Sequence, residues 1–301
     1  MIVFLDTKNI LFGAARVHKN SNRRVYQVPA VATPTVAMVV AIVAVWSSGL
    51  IGYVNGVLPL SLSFVFTLLA AYAAFTGFHD ASHFALGKKR WVSVVAGELL
   101  GVILVANFQV FRQIHQRHHR HTMNTQSDPD TWLSEGPVGL LLFRWLVVDF
   151  HYIRAFKPSQ LKLKQLEAIA MCTTCILAGA LVAALILTGN MIALIALWIV
   201  PARISLVCAA YYANYVPHQR PNTVCREGHT ITHTANIRGR FLGLLLIGHN
   251  MHLVHHLYPG VPFYQCFEIW RRRRSELLVQ GAREVPLTRP FPSRKQCAAL
   301  R

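Results

Sequence analysis

Negative charge is what this 301-residue sequence has least of: 12 Asp and Glu stand against 30 Lys and Arg, a formal net charge of +18, in a chain only 14% charged and 53% hydrophobic. With a mean hydropathy of +0.38, that composition excludes an ordinary soluble domain and points to an integral membrane protein of one domain. Cysteine is also scarce. The six cysteines are scattered, which excludes a disulfide framework and a zinc ribbon; Cys172 and Cys175 fall inside an apolar run, where small residues serve helix packing. The first 30 residues lack the continuous apolar stretch of a cleavable signal peptide, so insertion is expected to rely on the first span. Internal repeats, a cytochrome b5-type H-P-G-G, a rubredoxin-like set of four cysteines and a dinucleotide fingerprint are all missing, so the chain carries no electron carrier of its own.

What it does have is long apolar runs. Four are long enough to cross a hydrocarbon layer roughly 30 Å thick, at about 33–54, 58–78, 168–188 and 191–213, the last two parted by the turn signal Gly189-Asn190. Lys88 to Arg90, Arg112, Arg117, Arg120, Arg154, Lys164 and Arg271 to Arg274 fall on one predicted side, with Arg23 and Arg24, whereas the loops around Tyr53–Pro59 and Gly189–Asn190 carry no charge. The positive-inside bias makes the basic side cytoplasmic, in a bacterial inner membrane or its equivalent. Topology and anionic lipid account for the charge, and nucleic acid is not an expected partner. The expected division is a cytoplasmic tail over 1–30, a membrane domain over 31–280 and a short polar tail over 281–301.

Three histidine clusters interrupt this apolar chain: His79 and His83; His115, His118 and His119; His252, His255 and His256. On helices, spacings of three and four bring the imidazoles of each cluster to one face, where they can grip a common metal. A random chain with 15 His in 301 residues would contain H-x-x-H-H about 0.04 times, so two copies are not chance. Imidazole suits zinc, copper, iron and nickel, and so many nitrogen ligands at helix ends suit two ions with open positions. Sharing a centre puts the first two clusters on one side of the membrane. The weaker apolar stretch 91–111, with Glu98, Asn107 and Gln109, is therefore expected to lie along the interface or to dip in and return, without spanning. A fifth true span would set the clusters on opposite faces.

The three boxes, in this order and parted by membrane helices, resemble the integral-membrane fatty acid desaturase and hydroxylase superfamily. The phrases Val110 to His119 followed by Asp128-Pro129-Asp130, Gly248 to Pro259 followed by Val261 to Tyr264, and Trp198 to Ala202 leading into Asn214 to His218 are similar to its cyanobacterial-type β-carotene hydroxylase branch. The resemblance covers about 75 to 275. It implies an all-α membrane fold with about four transmembrane helices under a cytoplasmic histidine-rich di-iron cap, two non-haem irons, O2 as co-substrate and an external ferredoxin-like electron donor. It also implies a ninth ligand, since Asn214 and His218 have the N-x-x-x-H form, with Asn214 a possible ligand through water.

Other candidates are weaker. His249 shares a helical face with His252 and His256. Asp80 and Asp130 could orient ligand imidazoles, although for Asp130 a helix cap or Asx-turn is the commoner role. His121, His151, His229 and His233 read as outer or surface residues. Arg203 lies deep in the fourth span, where a charge is costly, and is expected to pair with Glu98, to meet a lipid phosphate or to snorkel. The four arginines 271–274 could receive an acidic donor or form a solvated run.

The favoured expectation is O2-dependent oxidation of a C–H bond in a long apolar lipid, with hydroxylation of a carotenoid ring ahead of fatty-acyl desaturation. Leu253-Val254 in the third box, where acyl desaturases often carry a glutamate beside the histidine pair, leans against an acyl substrate. A metal-binding or transport protein is the alternative from another class, disfavoured because transport predicts ionisable residues in several spans.

Overall fold

The computed structural model describes residues 26–135, 137–156, 159, 163–218, 234–239 and 241–288. Its frame is four helices long and apolar enough to cross a membrane: α1 (Thr33–Val54), α2 (Leu60–Ser82), α8 (Gln165–Leu187) and α9 (Ala193–Tyr215). They match the four expected spans within a few residues. Pro59 precedes α2 in extended conformation, and Gly189, at φ +74°, turns the chain from α8 into α9. Helix α9 runs through π-helical turns at Ala193–Ile199 and Ala210–Tyr215 on either side of a regular stretch. Trp198 from α9 packs edge-on against Trp46 of α1 at 5.5 Å, and Ser205 Oγ donates to the Ala71 carbonyl of α2 at 2.7 Å. Helix α8 instead leaves Ile169, Ile176, Leu177 and Leu187 exposed, as a helix solvated by lipid does.

Between α2 and α8 the chain forms α3 (Arg90–Leu104) and α4 (Phe108–His121), which meet at a bend of 103°. Val105 takes a left-handed conformation at the end of α3, Ala106 N donates back to the Gly101 carbonyl at 2.9 Å, and the Asn107 side chain caps α4 by accepting from Val110 N. Trp198 Nε1 satisfies the Val102 carbonyl at 2.8 Å. Glu98 accepts from Gln109 Nε2 at 2.7 Å and Thr174 Oγ1 at 3.0 Å, tying α3, α4 and α8 together. The stretch therefore turns back as expected. Backbone meets backbone most closely at Gly101, where a Cβ would lie 2.6 Å from the Ala106 carbonyl oxygen. Gly101→Ala should destabilise the protein by about 1–3 kcal/mol, read as a lower thermal midpoint in detergent.

The remaining elements are short: α5 (Thr131–Ser134), α6 (Val138–Leu146), α7 (Val148–Ala155), β1 (Ala235–Arg238), α10 (Leu242–Leu245), α11 (His252–Leu257), α12 (Phe263–Val279) and β2 (Arg283–Pro286). Strands β1 and β2 pair in parallel, Ala235 opposite Arg283. The expected polar tail thus starts with a strand that the sequence did not announce. At the other end, the Ala30 carbonyl accepts from Lys88 N at 3.2 Å, so the last residues before 31 already pack on the domain.

Two charge expectations change. Arg203 meets neither Glu98 nor solvent alone; its guanidinium is 2.9 Å from Asp149 on α7, because the bend of α3 commits Glu98 to Gln109 and Thr174. Arg271 and Arg272 share Glu268, Arg273 lies against Glu276 and the Tyr258 hydroxyl, and Arg274 reaches Glu284 at 2.7 Å. Three carboxylates thus partly offset the four arginines, whose Arg271 and Arg274 side chains stay exposed as a solvated run does.

Candidate metal centre

The ends of α2 and α4, the loop after α9 and the short helix α11 converge on one buried pocket. Helix α2 carries His79 and ends at His83; α4 turns His115, His118 and His119 inward beneath Phe111, whose ring stacks on His115 at 5.3 Å. Helix α11 needs a sharp entry. Gly248 supplies it at φ +84°, where a Cβ would strike the Phe263 ring at 2.8 Å, and Asn236 of β1 fixes α11 by accepting from Leu253 N at 3.0 Å. The unforeseen sheet therefore serves to seat the third box.

Two groups of ring nitrogens result. One ring nitrogen each from His79, His83, His115, His119 and His255 lie within 4.8 Å of one another, and so do those of His118, His218, His252 and His256. All nine expected histidines come together, His218 included, in a five-plus-four division that spacing could not reveal. The second box splits: His115 and His119, four apart, join one group, and His118 joins the other. First and second boxes meet directly, with His79 and His115 rings 4.6 Å apart, so they share a side of the fold.

The arrangement fits metal ions. His252 Nε2 lies 2.8 Å from His218 Nε2 and 3.0 Å from His256 Nε2, and His256 Nε2 is 3.3 Å from His118 Nε2. In the other group His119 Nε2 lies 3.1 Å from His115 Nε2 and 3.0 Å from His255 Nε2. A neutral imidazole has one N–H and one lone pair, so a knot of Nε2 atoms cannot satisfy itself by hydrogen bonds alone. Burial first, and then the neighbouring imidazoles, push His115, His119, His252, His255 and His256 well below the ordinary histidine pKa, and burial takes His83 to about 3. Neutral rings with converging lone pairs are a nitrogen donor set for a cation.

His118 is the exception. Burial alone would depress it, but Asp128 and Asp130 hold it above its ordinary value. Its Nδ1 donates to Asp128 Oδ1 at 2.9 Å, which leaves Nε2 free to face the group. Asp128 is fixed in turn by the backbone N–H groups of Met123 and Asp130, at 2.8 and 2.9 Å. Sequence reasoning passed over Asp128. The signal was present in Asp128-Pro129-Asp130, but the ten residues between His118 and Asp128 close into contact only through a turn that puts Met123 at φ +65°.

The other candidates separate cleanly. Asp130 accepts from Tyr152 Oη at 2.8 Å and Asn214 Nδ2 at 3.1 Å and lies 3.7 Å from His118 Nδ1; burial raises it to about 6 against the pull of His118. It starts α5 without a side-chain cap bond, so its place is beside the imidazoles. Asn214 is held by Asp130 and lines the cavity described below. Asp80 accepts from Phe263 N at 3.0 Å and orients no ring; one residue beyond His79, it is turned about 100° around the helix, towards α12. His249 is buried among Phe75, His79 and Tyr212, 5.2, 5.1 and 5.4 Å from their rings, and gives no nitrogen to either group. His121 is exposed, His151 stacks on Trp132 at 4.2 Å, and His229 and His233 lie outside the described residues.

A cavity of about 120 Å3 reaches the centre, with His79, His115, His118 and His252 at one part of its wall and Phe75, Phe78, Phe111, Leu206 and Ala210 among its apolar lining. It draws on both nitrogen groups at once. A dry, narrow space against a pair of possible metal positions suits a long hydrocarbon more than a polar substrate.

The sequence profile of the family described as fatty acid desaturase matches residues 53–287. A protein named sn-1 oleoyl-lipid 12-desaturase from a Synechocystis species is 26% identical over 232 residues, 68% of this chain and 65% of the relative. One of the same name from Anabaena variabilis is 23% identical over 236 residues, 68% of this chain and 66% of the relative. The chain thus spans slightly less than two thirds of the length of either relative. Both names concern acyl lipids. Leu253 and Val254, between the box histidines, are both fully buried.

Proposed function

Because the chain belongs to the fatty acid desaturase family, we propose that it is a membrane di-iron oxidoreductase that desaturates the acyl chain of a lipid, an oleoyl lipid being the substrate to test first. The observation that carries this reading is the pair of buried imidazole groups beside one apolar cavity. The five-histidine and four-histidine groups would each hold one non-haem iron. Bound there, the irons would supply O2-dependent oxidation of an unactivated C–H bond.

The chain's own residues do the rest. Phe75, Phe78, Phe111 and Leu206 hold methylenes and exclude water, and placement of the chain against the two groups decides which C–H bonds react. Asp128 holds the proton on His118 Nδ1 and so leaves Nε2 as the atom that would bind a metal. Asp130, Asn214 and Tyr152 form a polar network at the cavity wall that fixes the approach to His118. The excess of basic residues flanking the spans supports a cytoplasmic centre, where an external donor such as a ferredoxin would deliver electrons.

The test is acyl-chain analysis of a bacterial host fed oleate, with and without this chain and with a ferredoxin system supplied. Dienoic acyl chains, two hydrogens lighter than oleoyl and missing in the His118→Ala variant, are expected. Unchanged acyl chains beside newly hydroxylated carotenoid in a carotene-accumulating host would overturn the acyl reading.

A further inference from the structure

The face of α4 turned away from the imidazoles lines a second cavity of about 520 Å3, bounded by Arg112, Arg117 and Arg120 of α4, Arg90 of α3, and Lys164 and Glu167 at the start of α8. Five cations thus meet one carboxylate. Two of the guanidiniums are already built into place: Arg112 and Arg90 both contact Glu167 Oε1, at 3.1 and 3.2 Å. Both also lie over the Phe84 ring, at 5.1 and 3.8 Å from its centroid. Arg112 is 6% exposed, and its Nε is a buried donor without a hydrogen-bond partner.

An ion pair designed only for structure would bring charge closer to balance, because each unpaired guanidinium costs more as its surroundings become drier. Here one buried carboxylate positions two guanidiniums while Arg117, Arg120 and Lys164 remain in excess. The walls are concave, which focuses the positive potential. Planar guanidiniums from α3 and α4, joined by the Lys164 ammonium at the start of α8, surround a polar space and are a match for the several oxygens of a phosphate. The cleft lies across α4 from the metal centre and shares none of its histidine ligands.

We propose that this cleft is a binding site for a phosphate-bearing anion, supplied either by the headgroup of an anionic membrane lipid or by a free phosphoanion. Arg112 and Arg90 form its fixed base, and Arg117, Arg120 and Lys164 close on the ligand. It is independent of the acyl chemistry proposed above, and its test reads binding alone.

The test uses the full chain in nanodiscs of mixed phosphatidylglycerol and phosphatidylcholine, with native mass spectrometry counting the lipids each chain retains after release into detergent, and with inorganic phosphate titrated as competitor. The wild type should retain phosphatidylglycerol preferentially. Arg120→Gln/Lys164→Gln, both exposed positions, should weaken retention about tenfold or more, the effect of losing charge-assisted contacts. The equal charge loss in Lys88→Gln/Arg238→Gln should not. Displacement by millimolar phosphate assigns the site to the phosphate group itself, and persistence of the lipid under phosphate assigns it to the lipid headgroup. Equal retention by wild type and Arg120→Gln/Lys164→Gln, both monodisperse, together with no phosphate binding to either, would overturn the proposal. The variant Arg112→Gln strips a partner from buried Glu167 and risks misfolding, which is why the exposed pair decides the outcome.

Discussion

His252→Ala is expected to release iron from the four-histidine group and to lower turnover by about a thousandfold or more, the rate equivalent of several kcal/mol of metal-supplied stabilisation. His252 is the hub of that group: its Nε2 sits within hydrogen-bonding distance of both His218 and His256, and its ring also lines the apolar cavity. Losing it removes a ligand and opens the wall facing substrate. The backbone of α11 should survive, since Asn236 anchors it at Leu253 N. Iron per chain, by plasma emission, and acyl-chain product are the two readouts. His249→Ala is the matched comparison. That ring is also buried and only three residues away, and it packs on Phe75, Tyr212 and the His79 ring but gives no nitrogen to either group, so its loss should leave the iron count unchanged. Full iron and turnover in His252→Ala would refute the ligand assignment.

Asp128→Asn should cost about 10–100-fold in iron affinity or turnover, the usual effect of disturbing the partner of a ligand imidazole. The carboxylate accepts the Nδ1 proton of His118 while two backbone N–H groups hold it in position. An asparagine keeps the size but offers one acceptor oxygen and no charge, so the preference for the Nδ1–H form of His118 weakens. Absorption of an iron-loaded sample separates this positioning effect from misfolding: the fold and iron count at saturating iron should match wild type while affinity falls. Asp80→Asn provides the contrast, because Asp80 holds only the Phe263 backbone; its effect should appear in thermal stability and leave iron affinity intact. Equal iron affinity in Asp128→Asn and wild type would remove Asp128 from the site.

How much of this was legible in the chain depended on the range of the interaction. Span lengths follow from a local balance between backbone hydrogen bonds and apolar side chains in lipid, and α1, α2, α8 and α9 fall where hydropathy puts them. The box histidines were legible for the same reason, since three- and four-residue spacing is a local helical property. The turn-back of α3 and α4 could be inferred only indirectly, from the requirement that His79 and His115 share a side. Asp128, the β1–β2 pair and the partner of Arg203 were out of reach, because each rests on contacts between segments far apart in sequence or on an unusual local turn.

By itself, then, the sequence determined a membrane protein with four spans and three histidine boxes, because hydrophobic length and helical period are written into consecutive residues, while His218 entered as a ninth candidate only through resemblance. Only the tertiary structure decided that those histidines divide five and four, that Asp128 holds His118 and that Asp80 does not hold any, and that α4 carries a cationic cleft on its other face. Those outcomes depend on the 103° bend between α3 and α4 and on the angle at which α11 enters, which are set by packing among residues that no local pattern brings together.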